Sequence, residues 1–202
     1  MAYGTSSGNY FTYTRNYNVP AFTVSIWAYP NAVNVNQTMC GLWEDAGLVY
    51  QWLLAINTTA KVVGAVNDGS FRVPTAATNI SASAWTHVAL VYNSSNTLLY
   101  LNGVQDASAS GGSGLTSRTA ATGIGARQAG TEAFGGNLAE FATWTRALSA
   151  AEIASLADGF KPSRIPTPDI YYPLVREKID VRNNYTLTTV GTPTVQPHPR
   201  IY

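Results

Sequence analysis

Charge is scarce in this chain. Lys, Arg, Asp and Glu supply 11% of its 202 residues and leave a formal net charge of +1, against about 25% charged residues in an average globular protein. No basic field is available to draw in nucleic acid, and no polybasic run to hold a membrane surface, so neither partner is expected. Cysteine is nearly absent. The single Cys40 excludes an intramolecular disulfide, argues against a cysteine-based zinc site and reads as a small buried hydrophobe. No apolar run approaches the length of a membrane span. The N-terminal "MAYGTSSGNYFTYT" lacks both the basic and the apolar region of a secretory signal. The five Asn-x-Ser/Thr sites at Asn36, Asn57, Asn79, Asn93 and Asn184 then read as by-products of an Asn- and Thr-rich composition.

What the chain has is alternation. "FTVSIWAYP" sets Phe22, Val24 and Ile26 on one face and Thr23, Ser25 and Trp27 on the other, the period of a strand. "WTHVALVYN" sets Val88, Leu90 and Tyr92 against Trp85, His87 and Ala89. "TLLYLNGV" runs into an Asn-Gly pair at Asn102 and Gly103, a strong hairpin signal. "GLVYQWLLAI" and "AKVVGAV" read as two further strands, and turn clusters at Asn67–Ser70, Tyr92–Asn96 and Ser110–Gly114 punctuate the series. This spacing predicts an all-β sandwich of roughly a dozen short strands.

One helix interrupts the pattern. Ser149 and Glu152 in "SAAEIASLADGF" have the spacing of a capping box, Ile153 and Leu156 form a short apolar stripe, and Gly159 and Pro162 mark the end. The following "KPSRIPTPD" reads as an extended connector.

Three segments, in order, resemble the laminin G-like branch of the concanavalin A-like lectin/glucanase superfamily: "FTVSIWAYP" (22–30), "WTHVALVYNSSNTLLYLNGV" (85–104) and "FGGNLAEFATWTRALSAAEIASL" (134–156). The resemblance implies an antiparallel two-sheet jelly roll over residues 1–160, with one sheet concave. It also implies that such domains bind glycans or proteins, often carry calcium and sometimes hydrolyse glucans. Family members commonly open with a strand, an Asp, a polar turn and a Thr-rich strand. Here "IYYPL", Asp180, "RNN" and "YTLTTVGTPT" hold that order near the chain's end. Residues 161–202 are therefore expected to complete the same sandwich, through "DIYYPLV" and "NYTLTTV", or to pair with a neighbouring subunit.

The resemblance does not extend to catalysis. Hydrolases of the superfamily carry Glu-x-Asp-x-x-Glu on one strand, and no such triplet occurs among the acids here. Glu44 and Asp45 are adjacent and would face opposite ways on a strand. His87 and His198 have no nearby cysteine, and His87 reads as a hydrogen-bonded strand residue. No catalytic residue is expected. Relatives hold a structural calcium with an aspartate in the last long strand. The aligned residue is Ala139, with Glu140 beside it, and alanine offers no hard oxygen ligand. No metal site or cofactor is expected, with a structural calcium as the alternative; Asn67–Gly69 reads as a hairpin turn that could hold a cation weakly.

Glycan binding requires aromatic platforms with amide or carboxylate partners. Trp43, Tyr50 and Trp52 are the candidate platform, with Asn67 and Asp68 at a loop tip. Tyr50 and Trp52 are two apart and are expected to share a face. The order "YYPL…HPRIY" without a signal resembles tailed-phage structural proteins. The preferred function is a non-catalytic structural or decoration protein at a virion surface. Its expected partners are other virion proteins, copies of itself, and cell-surface glycans. The alternative is a soluble carbohydrate-binding module, a lectin-like adhesin of the cytoplasm or the extracellular space.

Overall fold

A computed structural model describes residues 2–44, 49–118, 120–174, 180–182 and 185–202. Strands are numbered in chain order. One sheet runs β11 (Val104–Ser110), β10 (Asn96–Leu101), β9 (Thr86–Tyr92), β3 (Phe22–Pro30), β13 (Gly136–Trp144), β1 (Ala2–Thr5) and β16 (Thr194–Gln196), and β14 (Ile170–Tyr172) also pairs with β13. The second runs β15 (Thr188–Val190), β2 (Tyr10–Thr14), β12 (Ala121–Ile124), β4 (Gln37–Glu44), β5 (Val49–Ile56), β6 (Lys61–Asn67) and β7 (Phe71–Arg72), and β8 (Thr75–Asn79) also pairs with β6. All the pairings between these strands are antiparallel. This is the expected two-sheet jelly roll.

The expected alternation builds the core. Phe22, Val24 and Ile26 of β3 and Val88, Leu90 and Tyr92 of β9 meet Leu42, Trp52 and Leu54 of the second sheet in one cluster between the layers. Ala89, Val91, Ala142 and Trp144 point the other way, and the helix α1 (Ala150–Ala157) buries Ile153 and Leu156 against them. That is why both faces of β9 are buried. Cys40 lies fully inside the core, where burial pushes its thiol pKa up. No helix among the described residues is long and apolar enough to cross a membrane.

Local chemistry holds where the sequence shows it. Asn102 and Gly103 take φ of 48° and 83°, both left-handed, as a type I′ hairpin turn needs. The Ser149 Oγ accepts from the Glu152 N–H at 3.3 Å, and Glu152 Oε2 accepts from the Ser149 N–H at 2.8 Å. Arg146 adds a two-pronged contact to the same carboxylate, at 3.0 and 2.6 Å. Gly159 is left-handed at φ 92°. The Pro-rich connector differs from expectation in one respect: Pro162–Arg164 closes a 3₁₀ turn.

The C-terminal strands pair within the same chain. β14 joins β13, β15 joins β2, and β16 joins β1. Tyr172 and Leu174 enter the central cluster while Tyr171 faces the helix side. Arg15 fastens the connector with two contacts to Asp169, at 3.1 and 3.2 Å. Of the expected strand segments, Val175 and Asn184 lie outside the described residues, as do Asp45 and the side chain of Glu44.

Candidate functional site: an aromatic platform

A bulge in β5 creates the site. Against β4, Leu42 pairs with Trp52, but Trp43 pairs with Tyr50, so Gln51 is an extra residue. A bulge sets two residues against one and re-aims the side chains beyond it. Gln51 is fully buried, and its Nε2 donates to the carbonyls of Tyr17 at 2.9 Å and Thr116 at 2.6 Å. Those bonds use the donors of the amide and pin the bulge.

The consequence is a separation of two aromatic residues. Trp52 turns inward, with no exposed surface, against Tyr17 and Phe22 at ring distances of 6.4 and 5.2 Å. Tyr50 turns outward beside Trp43, the rings 4.6 Å apart. Phe71 joins them from β7, 5.7 Å from Trp43 and 5.8 Å from Tyr50, and is 55% exposed. Trp43 and Tyr50 are half-buried. Three rings thus share the outer face of the second sheet.

The platform continues into a shallow track. Leu53, Ala55 and Ala65 form an apolar floor on which Trp43 packs. Beyond it a hollow of about 170 Å³ is lined by residues that include Asn36, Asn57, Arg127 and Glu132. Arg127 Nη2 lies 2.7 Å from Glu132 Oε2. The loop carrying this pair is anchored where Thr38 N–H donates to Glu132 O at 2.7 Å and Gly125 N–H donates to Met39 O at 2.8 Å. At the rise of an extended strand, Tyr50 and Ala55 are about 15 Å apart along the track.

Trp43, Tyr50 and Asn67 are brought together, and two expected partners are removed. Asn67 stands opposite Phe71 in the β6–β7 register, and its Oδ1 accepts from the Gly69 N–H at 3.1 Å. Trp52 is a correction: the bulge at Gln51 breaks the two-residue rule that put it on the face of Tyr50. Asp68 is a second correction. It is 5% exposed, and its carboxylate accepts from Tyr92 Oη at 2.8 Å and from the N–H groups of Ser113 and Ser70, each at 3.2 Å. It ties a neighbouring loop to the hairpin and has no loop-tip position from which to meet a ligand. Sequence reasoning missed Phe71, Arg127 and Glu132. The turn signal just before Phe71 places it on a returning strand, but its neighbours come from another hairpin.

The residues aligned with the calcium position do not fit that ion. Ala139 is fully buried and offers no side-chain oxygen. Beside it, Glu140 Oε2 accepts from Tyr171 Oη at 2.5 Å, and Oε1 lies 3.0 Å from His198 Nε2. Among the described residues, no group of three or more His, Cys, Asp or Glu side chains could hold a metal. On the aromatic face the carboxylate at hand, Glu132, is ion-paired. The arrangement there offers stacking and hydrogen bonding.

Comparison with known proteins places the fold. A profile of the Laminin_G_3 family, described as the concanavalin A-like lectin/glucanases superfamily, matches residues 4–154. Comparison with curated proteins finds no match. The structure is similar to that of a candidate carbohydrate-binding protein from Bacteroides ovatus ATCC 8483, with a TM-score of 0.76 and 19% identity. That alignment takes in 100% of this chain, which spans 61% of the length of the Bacteroides protein. It is also similar to a heptameric SAP-like pentraxin from Limulus polyphemus (TM-score 0.64, 15% identity, 91% of this chain and 90% of that one). A third is domain 4 of the extracellular arabinanase AbnA from Geobacillus stearothermophilus, in complex with arabinotriose (TM-score 0.57, 17% identity, 72% of this chain and 71% of that one). At these identities the structures share a fold, and the profile covers most of the chain. The chain belongs to the concanavalin A-like lectin/glucanases superfamily.

Proposed function

We propose that this domain binds a glycan on the outer face of its second sheet, with Trp43, Tyr50 and Phe71 as the stacking platform. The observation that carries the reading is the partly exposed three-ring cluster. Aromatic rings give a large apolar area with few rotatable bonds, and Trp and Tyr add a polar edge. A sugar ring presents an apolar C–H face and a polar rim of hydroxyls, which match a ring platform and the neighbouring Asn67, Asn57, Arg127 and Glu132. Two structural neighbours add support by their names, one a candidate carbohydrate-binding protein and one solved with arabinotriose.

Trp43→Ala is expected to weaken binding of a glycan selected from an array about tenfold or more, as loss of an interface anchor does. Titration calorimetry measures this. The melting temperature should stay within a few degrees, because Trp43 lies outside the central core. An array without hits, or equal affinity in the variant, would overturn the reading.

A second reading follows from the tail. Phe160, Val195 and Tyr202 are 42%, 42% and 52% exposed, apolar side chains suited to attachment. On this proposal the domain decorates a virion, held by its C-terminal segment to copies of itself or to other particle proteins. Regular arrays of the purified protein in negative stain would support it. A monodisperse monomer at high concentration would count against it.

A further inference from the structure

The opposite sheet carries a second concavity. It holds about 620 Å³, within the range of about 300–1,000 Å³ typical of small-molecule sites. It forms where β13 changes neighbours. β1 pairs with residues 136–138 of β13, and β14 pairs with residues 141–143. Glu140 falls at the junction, inside a register break between Ala139 and Ala142. Its backbone is left-handed, φ 54°, and its N–H donates to Pro173 O at 3.1 Å.

Two costs meet at this one residue. A non-glycine residue in the left-handed region is strained, and such outliers cluster at functional sites. A carboxylate that is 3% exposed must also be compensated. Tyr171 donates a hydrogen bond to that carboxylate, His198 Nε2 stands 3.0 Å from its other oxygen, and the tail that carries His198 closes one wall. His198 Nδ1 sits 2.7 Å from Pro199 O, which fixes the ring.

We propose that this cavity binds a sugar bearing a carboxylate, such as a hexuronic acid residue. The polarity of the walls selects it. Deep in the site, Glu140 keeps acceptor capacity beyond its two contacts, since a carboxylate has about four lone-pair sites. It takes hydroxyl donors. At the rim, Lys161 and Arg200 line the opening and are exposed. Among the described residues neither has an acidic partner, and the Arg200 guanidinium lies over the Tyr202 ring at 5.1 Å. These two cations take the ligand's carboxylate through charge-assisted hydrogen bonds. Pro173, Val181 and Pro199 supply apolar wall for the ring's C–H groups. A bare inorganic anion satisfies the rim alone and is repelled by Glu140. A neutral sugar satisfies the floor and leaves the cations unpaired.

The site lies across the sandwich from Trp43, so it stands or falls apart from the platform. Titration of the full chain with glucuronic acid, glucose and inorganic phosphate, read by calorimetry, tests it. Saturable binding of glucuronate at one site is expected, with glucose and phosphate each much weaker. The double variant Lys161→Gln/Arg200→Gln should weaken glucuronate about tenfold or more. Trp43→Ala should leave glucuronate binding unchanged. The rim changes are exposed, and an unaltered melting curve establishes that the double variant is folded. Absence of saturable glucuronate binding, equal affinity for glucose or phosphate, an unaffected double variant, or sensitivity to Trp43→Ala would each overturn the proposal.

Discussion

A chain ending at Phe160 is expected not to fold. The removed segment places Ile170, Tyr171, Tyr172, Leu174 and Leu187 in the interior, each no more than 4% exposed. Burying one such side chain contributes about 1.5–3 kcal/mol. The five together amount to roughly 10 kcal/mol, comparable to the whole stability of a typical domain, about 5–15 kcal/mol. The loss also strips partners from β1, β2 and β13, which leaves sheet edges able to aggregate. Tyr13 would lose its ring contact with Tyr172 at 5.7 Å, and Arg15 its fork on Asp169. Circular dichroism of residues 1–160 should show no cooperative melt. A peptide of residues 161–202 should restore one on mixing. A soluble, monomeric fragment with the parent's melting temperature would refute the closure of the sandwich by its tail.

Acid should weaken the fold well before its carboxylates protonate. His87 is fully buried in β9. Its Nε2 contacts Ser25 Oγ at 2.8 Å, its ring meets Trp27 at 5.4 Å, and Nδ1 has no partner. Burial lowers its pKa from 6.5 to about 3. The unfolded chain therefore binds the proton that the folded chain refuses. The stability from keeping His87 neutral is complete above about pH 6.5 and is lost as pH falls toward about 3. By linkage the loss is on the order of 2 kcal/mol at pH 5. Glu152, held near 2 chiefly by Arg146, acts in the same direction, but its loss begins only near its ordinary value of 4.5. Scanning calorimetry from pH 7 to pH 5 should show the melting temperature falling. His87→Gln, which keeps a group able to reach Ser25 and cannot be protonated, should flatten that slope. Identical slopes in the two proteins would rule out the role of His87.

The bulge at Gln51 and the register break at Glu140 explain which parts of this protein could be read in its sequence. Strands β3 and β9 follow their alternation, because both lie deep in the sheet and a one-residue slip would expose Phe22, Val24 and Ile26 together. The Asn102–Gly103 turn and the Ser149–Glu152 box are equally plain, since their chemistry closes within four residues. The family segments carry the jelly roll for the same reason: each is a contiguous piece of strand or cap.

The candidate sites obey a different rule. Whether Tyr50 or Trp52 faces the solvent depends on where Gln51 finds acceptors, and those are the backbones of Tyr17 and Thr116, far away in the chain. Asp68 looks like a loop-tip ligand until Tyr92 and Ser113 fold over it. Glu140 sits inside a family motif, yet its aim is set by the junction of β1 with β14 and by a tail that arrives some sixty residues later. The sequence by itself determined the strands, the turns and the cap, because those follow from period and from local hydrogen bonds. The tertiary structure alone decided which side chains share a face at the platform and the cavity, because one inserted residue reverses every side chain after it, and only the partner strand says where that residue goes.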